Sequence, residues 1–276
     1  MKKAIFLLYL TLFCLNQNFI GCRESQPLPE TPEGLYLELM KRCILDCVYK
    51  DIPDSDEWTR PTSTQEITDG QNAIRFQQSM MGFHAIDKLH ELMNDVTQNN
   101  IPGDFIETGV WRGGLTIFMR AYLKAYGDKI RKVWVADSFQ GVPIPNATKY
   151  PADAGINLYL FSFIAVSLEE VKRNFSRYSL LDDQVCFLKG WFSDTLPNAP
   201  IQSLSIMRLD GDLYESTMDA LKSLYPKLSV GGYVIIDDYG AIDACAQAVH
   251  DFRNANNITD EILWIDWTGV YWKRTK

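Results

Sequence analysis

The chain has 276 residues and a net charge of −8, from 27 Lys+Arg and 35 Asp+Glu. With 46% hydrophobic and 22% charged residues it has ordinary globular composition and enough chain for one large domain with a full core. An acidic chain without a basic run argues against a nucleic-acid backbone as partner.

Lys2 and Lys3 precede an apolar run from Ala4 to Leu15, and Gly21-Cys22 follows a polar stretch. This is the layout of a secretory signal, and its small-residue-then-Cys ending is similar to a bacterial lipoprotein signal. The apolar run is short for a membrane-spanning helix. Residues 1–30 are set apart from the fold as a signal-like or anchor extension. The six cysteines, Cys14, Cys22, Cys43, Cys47, Cys186 and Cys245, form no Cys-x-x-Cys pair and no zinc pattern. Cys43 and Cys47 are expected on one face of a helix, as small buried residues.

Residues 31–100 read as N-terminal helices with a lid. Leu35, Leu39, Ile44, Leu45 and Val48 recur at helical spacing. Residues 50–70, with Pro53, Pro61 and Gly70, read as a surface loop or mobile lid. Helical spacing returns over 72–99, with Ile74, Met81, Ile86, Leu89 and Met93, until Pro102-Gly103 breaks it.

Residues 101–276 alternate strand and helix. Strands are expected at Phe105-Ile106, Val133–Ala136, Val185–Leu188, Leu204–Leu209 and Tyr233–Ile236, with helices around 114–126, 167–178, 214–228 and 241–256. The alternation implies an α/β fold with a doubly wound, mostly parallel sheet. Glu261–Asp266 and Val270–Lys273 read as an antiparallel hairpin closing the sheet edge.

The first strand runs into Glu107-Thr-Gly109-Val-Trp111-Arg-Gly113-Gly114 and then a helix. The glycines allow close backbone approach, the helix start offers free N–H groups, and the acid can meet a charged amino group. Glu107, Gly109, Trp111 and Gly113 are therefore candidate cofactor contacts. Asp137-Ser138 ends the second strand, where an acid in nucleoside-binding folds bonds ribose hydroxyls. These two motifs leave a nicotinamide cofactor and S-adenosylmethionine both open.

The fourth and fifth strands separate those readings. Asp210-Gly-Asp212 follows one and Asp237-Asp238 the other. Adjacent parallel strands bring these carboxylates together at the carboxyl edge. Such a cluster needs a cation, and all-oxygen donors suit Mg²⁺. The expected mechanism has a metal held by Asp210, Asp237 and Asp238 and bound to a vicinal diol, with Asp212 as the unligated base for methyl transfer. A nicotinamide-dependent oxidoreductase does not explain the aspartates. A non-catalytic S-adenosylmethionine-binding module is the other alternative.

The chain resembles the macrocin O-methyltransferase family from roughly Leu35 to Trp272. The resemblance is carried by Pro102–Gly114, Asp137–Pro143, Leu188–Pro197, Arg208–Thr217, Gly231–Gly240 and Asp266–Trp272. It implies a Rossmann-like class I methyltransferase fold with seven strands, S-adenosylmethionine and Mg²⁺. It implies that Glu107 and Gly109 line the methionine end of the cofactor, Asp137 and Ser138 the ribose, and Gly190 and Trp191 the adenine. It implies the same division of the aspartates into three ligands and one base, and a deoxysugar or glycoside diol as acceptor. Some members are dimers with a mobile N-terminal segment over the site. This leaves a homodimer open here and gives residues 50–85 that role. S-adenosylmethionine is kept in the cytosol, so a cytoplasmic enzyme is expected. Membrane anchoring or export through residues 1–22 is the alternative. Of His84, His90 and His250, only His84 is a candidate second base.

Overall fold

The computed structural model describes residues 28–46, 48 and 77–276. The signal-like segment, Cys47 and most of the expected lid lie outside the described residues.

Among the described residues, five strands are parallel and two close the sheet. These are β1 (Asp104–Thr108), β2 (Val133–Asp137), β3 (Val185–Lys189), β4 (Leu204–Leu209), β5 (Leu228–Ile236), β6 (Leu263–Trp264) and β7 (Val270–Lys273), in the order β3-β2-β1-β4-β5-β7-β6. β7 runs antiparallel to β5 and lies between it and β6, so the expected hairpin contributes one interior strand and one edge strand. The order reverses between β1 and β4, which opens a crevice at their carboxyl ends.

The helices form two outer layers. Among the described residues, α1 (Pro32–Ile44), α2 (Phe83–Gln98), α3 (Gly114–Ala125) and α4 (Leu168–Arg177) cover one face. The other is covered by the single turn α5 (Phe192–Thr195), with α6 (Tyr214–Leu224) and α7 (Asp243–Ala255). Alternation along β1 divides the core. Phe105 joins a cluster with Leu37, Ile86 and Phe118, whereas Ile106 joins one with Leu221, Val249 and Trp272. None of the described helices is long and apolar enough to cross a membrane.

Local expectations shifted in three places. The buried face of α1 is Leu37, Met40 and Ile44, while Leu35, Leu39 and Val48 are exposed. Both stripes have helical spacing, and tertiary contact rather than periodicity selects between them. Within the stretch 72–99, residues 72–76 lie outside the described residues, and residues 77–82 are not helical; the helix begins at Phe83 because the stretch before it spends its backbone groups on neighbours. Gln78 N–H donates to the Ile44 carbonyl (2.8 Å), and Gly114 N–H donates to the Gln78 carbonyl (2.9 Å). α6 stops at Leu224 because Pro226 converts the next residues, Tyr225–Lys227, to a 3₁₀ turn.

Trp272 of β7 is fully buried and the Arg253 guanidinium lies 4.8 Å from its ring centroid. Trp272→Ala should destabilise the protein by about 3–5 kcal/mol in urea unfolding, the usual cost of truncating a core tryptophan. A change under about 1 kcal/mol would contradict the packing described.

Candidate active site

Strand register sets the site. Thr108 pairs with Leu209, and Leu209 pairs with Ile236, so the next residues, Gly109, Asp210 and Asp237, emerge level at the carboxyl edge. The backbone ladder continues one step further. Asp210 N–H donates to the Thr108 carbonyl and Asp237 N–H to the Leu209 carbonyl, each at 3.0 Å. Gly109 (φ +77°) is required by this approach, since a Cβ there would sit 1.8 Å from the Asp210 carbonyl oxygen.

One ligand oxygen from each of Asp210, Asp237 and Asp238 lies within 4.8 Å of the others, which is the spacing of a single-cation shell. Asp212 occupies the left-handed region (φ +57°), and its N–H donates to Asp238 Oδ2 at 3.2 Å. Its carboxylate is not among the three clustered oxygens, although it lines the same cavity.

Arg208 lies at the centre of these acids. All six residues of β4 are buried, and this guanidinium stands among the apolar ones. Its Nη1 donates to Glu107 Oε1 (2.6 Å) and Asp210 Oδ2 (3.1 Å), and its Nη2 stands 2.6 Å from Asp237 Oδ1. Strands β1, β4 and β5 are thus tied through one cation. Sequence reasoning did not single out Arg208. The available signal was a charge inside a mostly apolar central strand, which needs partners wherever it is buried.

The acids titrate high. Burial, against the Arg208 charge, pushes Glu107 up to about 7. Burial and Asp238 push Asp210 to about 7, and burial carries Asp237 to about 8 despite Arg208. Asp212 and Asp238 are also raised well above the ordinary carboxylate range, by burial and then by neighbouring aspartates.

The acids open onto a cavity of about 650 Å³. Glu107, Gly109, Trp111, Asp137, Ser138 and Trp191, the candidate cofactor contacts, are among its lining residues. Glu107 Oε2 is buried with no hydrogen-bond partner among the described residues. Asp137 accepts from the Val110 amide (2.8 Å) and the Phe139 amide (2.7 Å), which fixes the turns after β1 and β2. Ser138 Oγ donates to the Gly141 carbonyl (2.8 Å). Gly113 and Gly190 do not line the cavity. Both have positive φ and shape the backbone instead, with Gly113 against Val171 and Gly190 against Thr195.

Gln77, Ser79, Met80 and Met81 border the cavity before α2, within the stretch 50–85 to which the resemblance gave a place over the site. A second group escaped the sequence reading: Val142, Ile156, Leu158, Phe161 and Phe163 add apolar lining. The second group comes from a loop of single 3₁₀ turns with no periodicity to detect. His84 is exposed at the start of α2 and does not line the cavity. His90 packs edge-on to Phe118 and Tyr122, and burial lowers its pKa to about 4. His250 pairs with the Tyr239 hydroxyl at 2.8 Å.

A doubly wound sheet with an antiparallel seventh strand, and a carboxyl-edge cavity beside clustered aspartates, define an O-methyltransferase of the S-adenosylmethionine-dependent fold. The family model described as macrocin-O-methyltransferase (TylF) matches residues 33–274, and the chain belongs to that family. It is 48% identical over 250 residues to the 8-demethyl-8-(2,3-dimethoxy-alpha-L-rhamnosyl)-tetracenomycin-C 4'-O-methyltransferase of Streptomyces olivaceus, covering 90% of this chain and 95% of that protein. It is 45% identical over 252 residues to the mycinamicin III 3''-O-methyltransferase of Micromonospora griseorubida, covering 90% and 99%. The solved structure of the O-methyltransferase NovP superposes with a TM-score of 0.80 at 46% identity, covering 88% of this chain and 100% of that one. A methyltransferase replaces both the oxidoreductase and the non-catalytic alternatives.

Two expectations follow from Arg208 and the raised acids. Arg208→Met should destabilise the protein by about 3–5 kcal/mol in urea, because it leaves buried carboxylates without their cation. Arg208→Lys should fall between it and wild type. Native acids that hold protons to about pH 7–8, against about 4 when unfolded, bind more protons in the folded state. Their stabilisation is complete below the unfolded pKa and is lost as pH rises through the folded values. The urea midpoint of chelator-treated protein should therefore fall between about pH 5 and about pH 8, and a midpoint that rises would contradict this electrostatic account.

Proposed function

We propose that the protein transfers a methyl group from S-adenosylmethionine to a hydroxyl of a sugar carried on an apolar, uncharged glycoside. The observation that carries this reading is one cavity lined both by the nucleoside-type motifs with the clustered aspartates and by an apolar loop. One relative's name specifies a rhamnosyl-bearing tetracenomycin as acceptor.

The residues fit the cofactor. Glu107 offers its unpaired Oε2 to an ammonium, and Asp137 and Ser138 stand where a ribose would lie. Gly190 and Trp191 follow β3, with Trp191 at the adenine end and Gly190 shaping its turn. Trp111 and Gly113 hold the turn between β1 and α3. The residues also fit a hard divalent cation such as Mg²⁺, since the donors are all carboxylate oxygens at single-ion spacing. Asp210, Asp237 and Asp238 would hold it. When bound, it supplies positive charge that lowers the pKa of a neighbouring hydroxyl and orients a vicinal diol.

Asp212 takes the acceptor proton. It stands beside the ligand cluster, and burial with its neighbours raises its pKa, as suits a general base. The apolar wall excludes water and fixes the acceptor for in-line attack. Among the described residues, Arg208 is the single basic side chain lining the cavity, and carboxylates already engage it. Glu215, Asp219 and Asp243 add negative charge to the cavity lining. A nucleotide-linked sugar would bring its phosphates into that field unpaired, which disfavours it. On this reading residues 101–276 form the cofactor-binding domain, residues 31–100 cover it, and the enzyme works in the cytoplasm where its methyl donor is made.

Asp212→Asn should lower kcat by at least about 100-fold, the usual contribution of a general base, while S-adenosylhomocysteine binds as in wild type. Retained turnover would remove Asp212 from that role. In an acceptor screen with labelled methyl donor, EDTA should abolish transfer and Mg²⁺ restore it. Neutral glycosides should be methylated in preference to nucleotide sugars. Transfer that persists in EDTA would end the metal assignment.

A further inference from the structure

The apolar wall is a loop with little regular structure, yet it is anchored at two points. Near its start, Asp153 is fully buried, and both carboxylate oxygens are used. Oδ1 accepts from the Tyr214 amide (2.6 Å) and Oδ2 from the Glu215 amide (3.1 Å). These are the first two residues of α6, whose own N-cap residue, Leu213, offers no side-chain bond. Asp153 is thus a helix cap supplied from a distant loop, and it places a carboxylate at the positive end of the helix. Near the end of the wall, the Phe163 carbonyl accepts from Trp111 Nε1 at 2.9 Å, which pins the loop to the turn after β1.

The position of the first anchor matters. Asp153 lies between Ala152 and Ala154, which line the cavity, and only a few residues before Ile156, Leu158 and Phe161. On the other side of the bond, Tyr214 follows Asp212 by two residues, in a turn whose backbone already points N–H to Asp238. Tyr150 stacks near Tyr214, with ring centroids 5.9 Å apart, and adds packing to the same joint.

We propose that Asp153 is a positioning residue for acceptor binding: its carboxylate ties the apolar wall to the turn that carries Asp212, so acceptor and base keep one relation. This rests on the reading that the apolar side takes the acceptor and Asp212 its proton. Asp153 touches neither the clustered aspartate oxygens nor the cofactor-side motifs, so its effect is specific to the acceptor.

The test uses the full chain with Asp153→Ala and the milder Asp153→Asn, which keeps one acceptor oxygen. Amide hydrogen exchange should rise together at residues 154–164 and at Tyr214 and Glu215, more in Asp153→Ala than in Asp153→Asn. S-adenosylhomocysteine affinity, by isothermal titration, should stay within about twofold of wild type, while the acceptor KM rises about tenfold, the size of a lost buried cap. Exchange that rises only at Tyr214 and Glu215 would reduce Asp153 to a simple helix cap and overturn the proposal. So would a loss of cofactor affinity as large as the loss of acceptor affinity. If wild type methylates no glycoside, the functional reading fails by itself, and the exchange data still decide whether Asp153 couples wall and turn.

Discussion

The carboxyl edge of the sheet depends on one buried cation. Arg208 emerges from the most enclosed strand and meets carboxylates from β1, β4 and β5. A guanidinium without partners there would cost several kcal/mol, and so would the acids without it. Each makes the other tolerable, and the outcome is geometric. Glu107, Asp210 and Asp237 are held in register before any ligand arrives. Arg208 does not neutralise the whole set, because Asp212 and Asp238 remain beyond its direct bonds. The excess negative charge is the ground for proposing a further cation at this edge. Burial first, and then the neighbouring carboxylates, push Asp210 and Asp237 above the ordinary carboxylate range.

The strands and their motifs were legible because short-range physics determines them. Apolar runs that end in Glu107, Asp137, Asp210 and Asp237-Asp238 fix both where strands stop and what they present. What sequence could not resolve was tertiary choice. α1 has two stripes of helical spacing, and only packing on the sheet buries Leu37, Met40 and Ile44 rather than Leu35 and Leu39. The stretch at Gln77–Met81 has helical periodicity but bonds across to Ile44 and Gly114. The loop that carries Phe161 and Phe163 has no period at all. Arg208 was visible as a letter, but its importance lay in partners from three strands. Gly113 and Gly190 illustrate the converse case: expected as cofactor contacts, they have positive φ and do not line the cavity.

The cavity is consistent with a division of labour between regular and irregular structure. Strand ends position the acids to within the tolerance of chemistry, and loops shape the space around them. Asp153 and Trp111 connect the two, each using a single side chain to fix a loop to a strand–helix turn.

The central claim is that Asp210, Asp237 and Asp238 hold one divalent cation and leave Asp212 free. Anomalous diffraction from a crystal grown with Mn²⁺ and S-adenosylhomocysteine tests it most directly. The account predicts a single peak about 2.1 Å from one oxygen of each of those three aspartates, with Asp212 outside the shell and facing the apolar wall. A peak coordinated by Asp212, or no peak at this edge at saturating Mn²⁺, would contradict it.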